Sequence, residues 1–178
     1  MSSEKVLGFE FEKAVRFLTE FVPISGENNK KPELFHSIRV GLYLYEKGYA
    51  KEIVLAGILH DIIEDSKVDV KMLEDEFGIE ITRLVLACTK NKKIKDKKEN
   101  IEDLIKRTVN NGQEALIVKA ADTLDSFKWY TARKNNEQIL YCLRNAEAIL
   151  ELKPGEFRDC IFDELKKWKD EYQYLLSK

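Results

Sequence analysis

The chain has no apolar run approaching the ~20 residues that a membrane-spanning helix needs, and no basic-then-apolar stretch near Met1 of the kind a secretory signal shows. A soluble, cytoplasmic protein with no membrane partner is therefore expected. Cysteine is scarce. Cys88, Cys142 and Cys160 are odd in number, widely spaced and without a C-x-x-C pair, which speaks against a disulfide framework or a thiolate metal site. Reduced, buried thiols are expected. An excess of charge of either sign is also lacking: 30 basic and 32 acidic residues leave a formal net charge of −2, so no global field draws the chain to nucleic acid or to an anionic surface. No glycine-rich phosphate loop, internal repeat, low-complexity linker or convincing strand is present either.

What is there is helical periodicity. With 178 residues the chain has the size of one domain, spanning residues 1–178, that buries roughly two-thirds to three-quarters of its unfolded surface. The spacing of Phe9, Ala14, Val15, Phe17, Leu18 and Phe21 predicts a first helix ending before Pro23, and the polar stretch from Val22 to Pro32 reads as a loop. A second helix is expected from about Pro32 to Lys47, with proline tolerated in the first turn and Gly48 at the end. From Ala50 to Glu64 the residues are apolar nearly all round, which predicts one central buried helix. Helices over Val70–Phe77 and Ile79–Thr89 follow, then a lysine-rich connection over Lys90–Lys98. Helices over Ile101–Val109, Glu114–Lys134, Glu137–Leu152 and Glu156–Leu176 complete an all-α, compact multi-helix bundle.

The chain has only two histidines, and His60 with Asp61 interrupts the most apolar of these helices. Burying an isolated carboxylate costs several kcal/mol even after relaxation, and a divalent cation removes that penalty. Neighbouring residues on a helix point about 100° apart, so both side chains reach one ion only if it lies beside the helix, and other helices must complete its shell. His36, in Phe35-His36-Ser37, and Asp122, in Lys119-Ala120-Ala121-Asp122, are suitable partners. Two imidazoles and two carboxylates suit manganese, iron, zinc or another borderline divalent ion and leave positions open for water or a phosphoryl oxygen, which points to hydrolytic chemistry.

The order of a histidine, a His-Asp pair and a distant aspartate between helices resembles the HD superfamily of metal-dependent phosphohydrolases. The string Ala56-Gly57-Ile58-Leu59-His60-Asp61-Ile62-Ile63-Glu64-Asp65-Ser66 is similar to the His-Asp-x-x-Glu-Asp-Thr motif of the guanosine tetraphosphate hydrolases related to the SpoT and Rel proteins. Phe35-His36-Ser37-Ile38 and Lys119-Ala120-Ala121-Asp122-Thr123-Leu124 resemble that group's His-Pro and Lys-Leu-Ala-Asp motifs, and the likeness runs from about Phe9 to Tyr130. It implies an HD-type fold, metal ligation by His36, His60, Asp61 and Asp122 with manganese as the usual ion, and removal of the 3′-pyrophosphate of guanosine tetra- or pentaphosphate. Glu64 and Asp65 become the catalytic acids. Glu64 lies one turn beyond His60, on roughly the same face, where it can orient or deprotonate water. Asp65 can position the water or accept from the substrate, and the two roles are interchangeable at this level.

Lys90, Lys92, Lys93, Lys95, Lys97 and Lys98 either form a solvated charge run or offer charge to a substrate carrying two pyrophosphates. The resemblance makes Lys97 a candidate substrate contact. Two departures from the group's pattern bear on the substrate. Ser126 stands where the group has an asparagine, as a shorter candidate contact, and the segment from Gly26 to Leu34 lacks the group's arginine and Pro-Tyr pair. An HD phosphatase acting on another nucleotide, or a nucleotide-binding regulatory domain without turnover, are the alternatives. Phe127, Trp129, Tyr130, Tyr141, Trp168, Tyr172 and Tyr174 either stack a purine or, as aromatics at helical spacing usually do, fill the core.

Overall fold

The structure, a computed structural model, describes residues 3–26 and 29–177. Glu27 and Asn28, within the expected Val22–Pro32 loop, lie outside the described residues. No strand occurs among the described residues, as the all-α reading expects. Residues 1–89 and 90–178 form two compact helical units.

The first unit contains α1 (Ser3–Phe21), α2 (Glu33–Glu46), α3 (Lys51–Leu59), α4 (Ile62–Asp65), α5 (Val70–Phe77) and α6 (Ile79–Cys88). Pro32 caps the start of α2, and its carbonyl accepts from the His36 N–H at 2.9 Å. Every residue of α3 from Ile53 to Leu59 is buried. Full burial of Val54, Leu55, Ile58 and Leu59 contributes ~1.5–3 kcal/mol for each side chain. Helix α3 packs against α1, α2 and α6, and its approach to α2 depends on two glycines. A Cβ on Gly41 would stand 2.1 Å from Cγ1 of Ile58, and one on Gly57 would stand 2.4 Å from Cδ1 of Leu44. Gly78, at φ +83°, separates α5 from α6 as the sequence suggests.

The expected continuous helix from Ala50 to Glu64 is broken. Helix α3 ends at Leu59 and α4 starts at Ile62, with Asp61 at φ −99° and ψ −1°, in the sparsely populated bridge region where turn and active-site residues are found. The cause is local: Nδ1 of His60 lies 2.9 Å from the carbonyl oxygen of Gly57, which an uninterrupted helix would offer to the N–H of Asp61.

The second unit contains α7 (Lys97–Asn110), α8 (Gln113–Ala132), α9 (Asn136–Leu152), α10 (Cys160–Tyr172) and a closing 3-10 turn, Gln173–Ser177. Helix α8 is its centre, with every residue from Ala115 to Leu124 buried, and it packs on α7, α9 and α10. Helix α7 starts earlier than expected, inside the lysine-rich connection. Asp96 caps it by accepting from the Glu99 N–H at 2.8 Å, and the Asn100 amide donates back to the carbonyls of Asn91 and Ile94 at 2.8 and 2.9 Å.

Helix α10 starts later than expected. The chain before it is held by side chains: Lys153 Nζ donates to Phe157 O at 2.9 Å, and the Gln113 amide exchanges hydrogen bonds with the backbone of Arg158 at 3.1 and 3.2 Å. Asp159 then caps Ile161 at 2.9 Å. Cys88 and Cys142 are buried, but Cys160 is exposed because it sits in the first turn of α10; none of the three is in a disulfide. Phe127 is fully buried and contacts the rings of Trp168 and Tyr172, the packing role expected of most aromatics here. No helix among the described residues is long and apolar enough to cross a membrane.

Candidate metal centre

His36 projects from the first turns of α2 and His60 closes α3, and the tight α2–α3 approach at Gly41 and Gly57 brings their rings together. The centroids are 5.1 Å apart with the planes at 80°, one nitrogen of each ring lies within 4.8 Å of the other, and the residues are 0% and 1% exposed. Asp61 faces the second of them, with Oδ2 at 3.1 Å from Nε2 of His60.

The protonation of His60 follows from its partners. A carbonyl oxygen can only accept, so Nδ1 carries the hydrogen toward Gly57, and in the neutral ring Nε2 presents a lone pair. That lone pair faces a carboxylate oxygen at 3.1 Å. Two electron-rich atoms so placed call for a shared cation, and an imidazole whose other nitrogen is tied to a backbone carbonyl is the usual form of a metal-ligating histidine. The His60–Asp61 pair therefore fits a divalent metal, with the His36 ring beside it.

Helix α4 fixes the two acids beyond it. The carbonyl of Asp61 accepts from the N–H groups of Glu64 at 2.9 Å and Asp65 at 3.0 Å. Ser66 ends the turn, its hydroxyl donating to Ile62 O at 2.6 Å and accepting from the Val68 N–H at 3.0 Å. Glu64 is half-buried and Asp65 exposed. A carboxylate absent from the sequence reading, Glu33, joins this face: oxygens of Glu33, Asp61 and Asp65 lie within 4.8 Å of one another. Its signal was legible, since Glu33 precedes His36 by one helical turn and so shares its face.

In the second unit, α8 presents Asp122, whose Oδ2 accepts from Lys119 Nζ at 2.7 Å. Both residues are buried, at 9% and 4% exposure. Burial, the largest single influence, pushes the Lys119 ammonium toward neutrality, but Asp122 and Tyr141 together outweigh it and hold the lysine above its ordinary pKa. The Ser126 hydroxyl stands 3.5 Å from Asp122 Oδ1. Lys97 is exposed in the first turn of α7, on a different helix from Asp122 and Ser126.

The HD domain family model matches residues 14–143, and the chain belongs to the HD domain family. A guanosine-3′,5′-bis(diphosphate) 3′-pyrophosphohydrolase of Aquifex aeolicus is 29% identical over 172 residues, 93% of this chain and 24% of that protein. A probable enzyme of the same name from Mycoplasma pneumoniae is 39% identical over 114 residues, 58% of this chain and 15% of its own length. The chain thus spans a quarter or less of these bacterial relatives. It spans 78% of a smaller relative, the guanosine-3′,5′-bis(diphosphate) 3′-pyrophosphohydrolase MESH1 of Drosophila melanogaster, with 26% identity over 141 residues, 70% of this chain. Among solved structures, a metazoan ortholog of SpoT that hydrolyses ppGpp shares the fold with a TM-score of 0.73 at 16% identity, covering 96% of each chain. The protein lmo0812 of Listeria monocytogenes does so at 0.64 and 23%, covering 85% of this chain and 99% of its own.

Proposed function

We propose that the chain is a manganese-dependent phosphohydrolase of the cytoplasm that removes the 3′-pyrophosphate of guanosine tetra- or pentaphosphate. His36, His60, Asp61 and Asp122 are the proposed ligands, in a single HD-type domain over residues 1–178. The observation that carries the reading is the His60 imidazole, tied to Gly57 through Nδ1 and facing Asp61 through Nε2, directly before the Glu64-Asp65 pair. The relatives named for this reaction and an HD-domain match that crosses from one unit into the other support it.

When bound, the ion supplies Lewis-acid polarisation of a phosphoryl oxygen and acidification of water. The chain's own residues do the rest. Glu64, oriented by its backbone bond to Asp61, orients the attacking water or takes its proton, and Asp65 positions that water or accepts from the substrate. Lys97 and Ser126 contact the substrate's phosphates. Three cysteines outside any disulfide fit a reducing compartment.

One observation favours a second substrate. Glu33 adds a third carboxylate beside Asp61 and Asp65, which disfavours a ligand bearing two pyrophosphates and suits a nucleotide of lower charge. Incubation of the chain and manganese with a nucleotide panel decides between them. Pyrophosphate release from guanosine tetraphosphate is the expected result; its absence alongside turnover of another nucleotide assigns the second substrate, and binding without any turnover assigns a regulatory domain.

A further inference from the structure

Helices α7 and α8 pack on each other and are joined by only two residues, Asn111 and Gly112. This is the one Asn-Gly pair of the chain, and every other asparagine is followed by a residue that carries a Cβ. The difference is chemical. The backbone nitrogen of a residue can attack the side-chain amide of an asparagine before it, and a glycine leaves that approach unhindered. Attack of the Gly112 nitrogen on Cγ of Asn111 forms a five-membered imide, with the Gly112 N–H proton lost and the side-chain nitrogen leaving as ammonia. Water then opens the imide at either carbonyl, giving aspartate or isoaspartate at residue 111.

The folded turn keeps the two reactants apart. The Gly112 N–H donates to Val109 O at 3.1 Å, and Asn111 Nδ2 donates back to Arg107 O at 2.9 Å. Asn111, at φ −90° and ψ 3°, turns the Gly112 nitrogen away from its own Cβ, whereas ring closure needs the two nearly eclipsed. Gly112 itself stands at φ +100°, where glycine is favoured over any residue with a Cβ. The turn therefore requires the same residue that makes it reactive.

We propose that Asn111 is the chain's site of spontaneous deamidation and that it reacts only when the α7–α8 turn opens. The change is one-way. A carboxylate at residue 111 has no hydrogen to give to Arg107 O, and its charge falls at the C-terminus of α7, where the helix dipole disfavours it. Isoaspartate also adds a backbone carbon to the two-residue connection that leads into α8, the centre of its unit. Deamidation thus marks chains whose turn has opened and prevents the same turn from re-forming.

Timed incubation of the whole chain in neutral buffer, with and without enough urea to unfold it, tests this by peptide mapping in a mass spectrometer and by enzymatic methylation of isoaspartate. In urea Asn111 is expected to convert before any other asparagine, and earlier conversion elsewhere overturns the assignment. In the folded chain its conversion is expected to be at least about tenfold slower, because the turn must open first; a smaller difference overturns the gating by the fold. Asn111→Asp, which carries the charge of the product, is expected to unfold at lower urea than the parent, and an unchanged or raised midpoint overturns the one-way step.

Discussion

The carbonyl oxygen of Gly57 lies 2.9 Å from Nδ1 of His60. The same glycine that lets α3 lie close to α2 therefore selects the histidine nitrogen that is turned toward Asp61. Packing and ligand chemistry meet in one turn of helix, and the consequences are open to experiment.

Gly41 is the less forgiving of the two glycines at the α2–α3 contact. A Cβ there meets Cγ1 of Ile58 at 2.1 Å, in the middle of a β-branched side chain, whereas at Gly57 the one atom nearer than 3 Å is the terminal methyl of Leu44 at 2.4 Å. Overpacking costs typically ~1–3 kcal/mol, against a gain of ~1 kcal/mol in helix propensity. Urea denaturation is expected to show Gly41→Ala clearly destabilised and Gly57→Ala less so. The reverse order would contradict the packing described.

Metal removal should cost stability. A ligand at a hundred times its dissociation constant stabilises the folded state by ~2.7 kcal/mol, so manganese should raise the melting temperature of the stripped chain. His36→Ala and His60→Ala should abolish the increment, and its full persistence in either variant would remove that histidine from the ligand set.

Glu64→Gln separates chemistry from binding. Loss of a general base typically lowers kcat by ~10²–10⁴, while manganese affinity should stay at the parent value because Glu64 is not a proposed ligand. Asp65→Asn should also leave metal binding intact. Unchanged turnover in Glu64→Gln would take the proton-accepting role away from it.

Glu33→Gln removes one of three neighbouring carboxylates. For a polyanionic nucleotide the expected result is a several-fold lower KM with kcat little changed, the gain shrinking as salt screens it. A KM that stays constant at low salt would place Glu33 outside the substrate's path.

The sequence announces some of this architecture and conceals the rest, for physical reasons. Apolar periodicity exposed the buried α3 and α8, and Gly78 the division of α5 from α6. The break at His60-Asp61 was hidden because it comes from a side chain competing for a backbone carbonyl, which periodicity does not register. The start of α7 was masked by lysines that read as loop but follow a capping aspartate, Asp96. The late start of α10 depends on Gln113 and Arg158, residues far apart in the chain.

At the candidate site, His36, His60 and Asp61 were legible because polar groups stood in apolar helices. Glu33 fell within the Gly26–Leu34 segment, weighed only for the group's missing arginine and Pro-Tyr pair, although its spacing from His36 marked it. Lys119 was quoted only as part of a motif, and its hold on Asp122 is a fact of burial.

Anomalous diffraction from manganese-loaded crystals locates the ion itself. One ion is expected within ~2.0–2.3 Å of ligand atoms from His36, His60, Asp61 and Asp122 together. An ion bound elsewhere, or one from whose shell either histidine or either aspartate is missing, would contradict that ligand set.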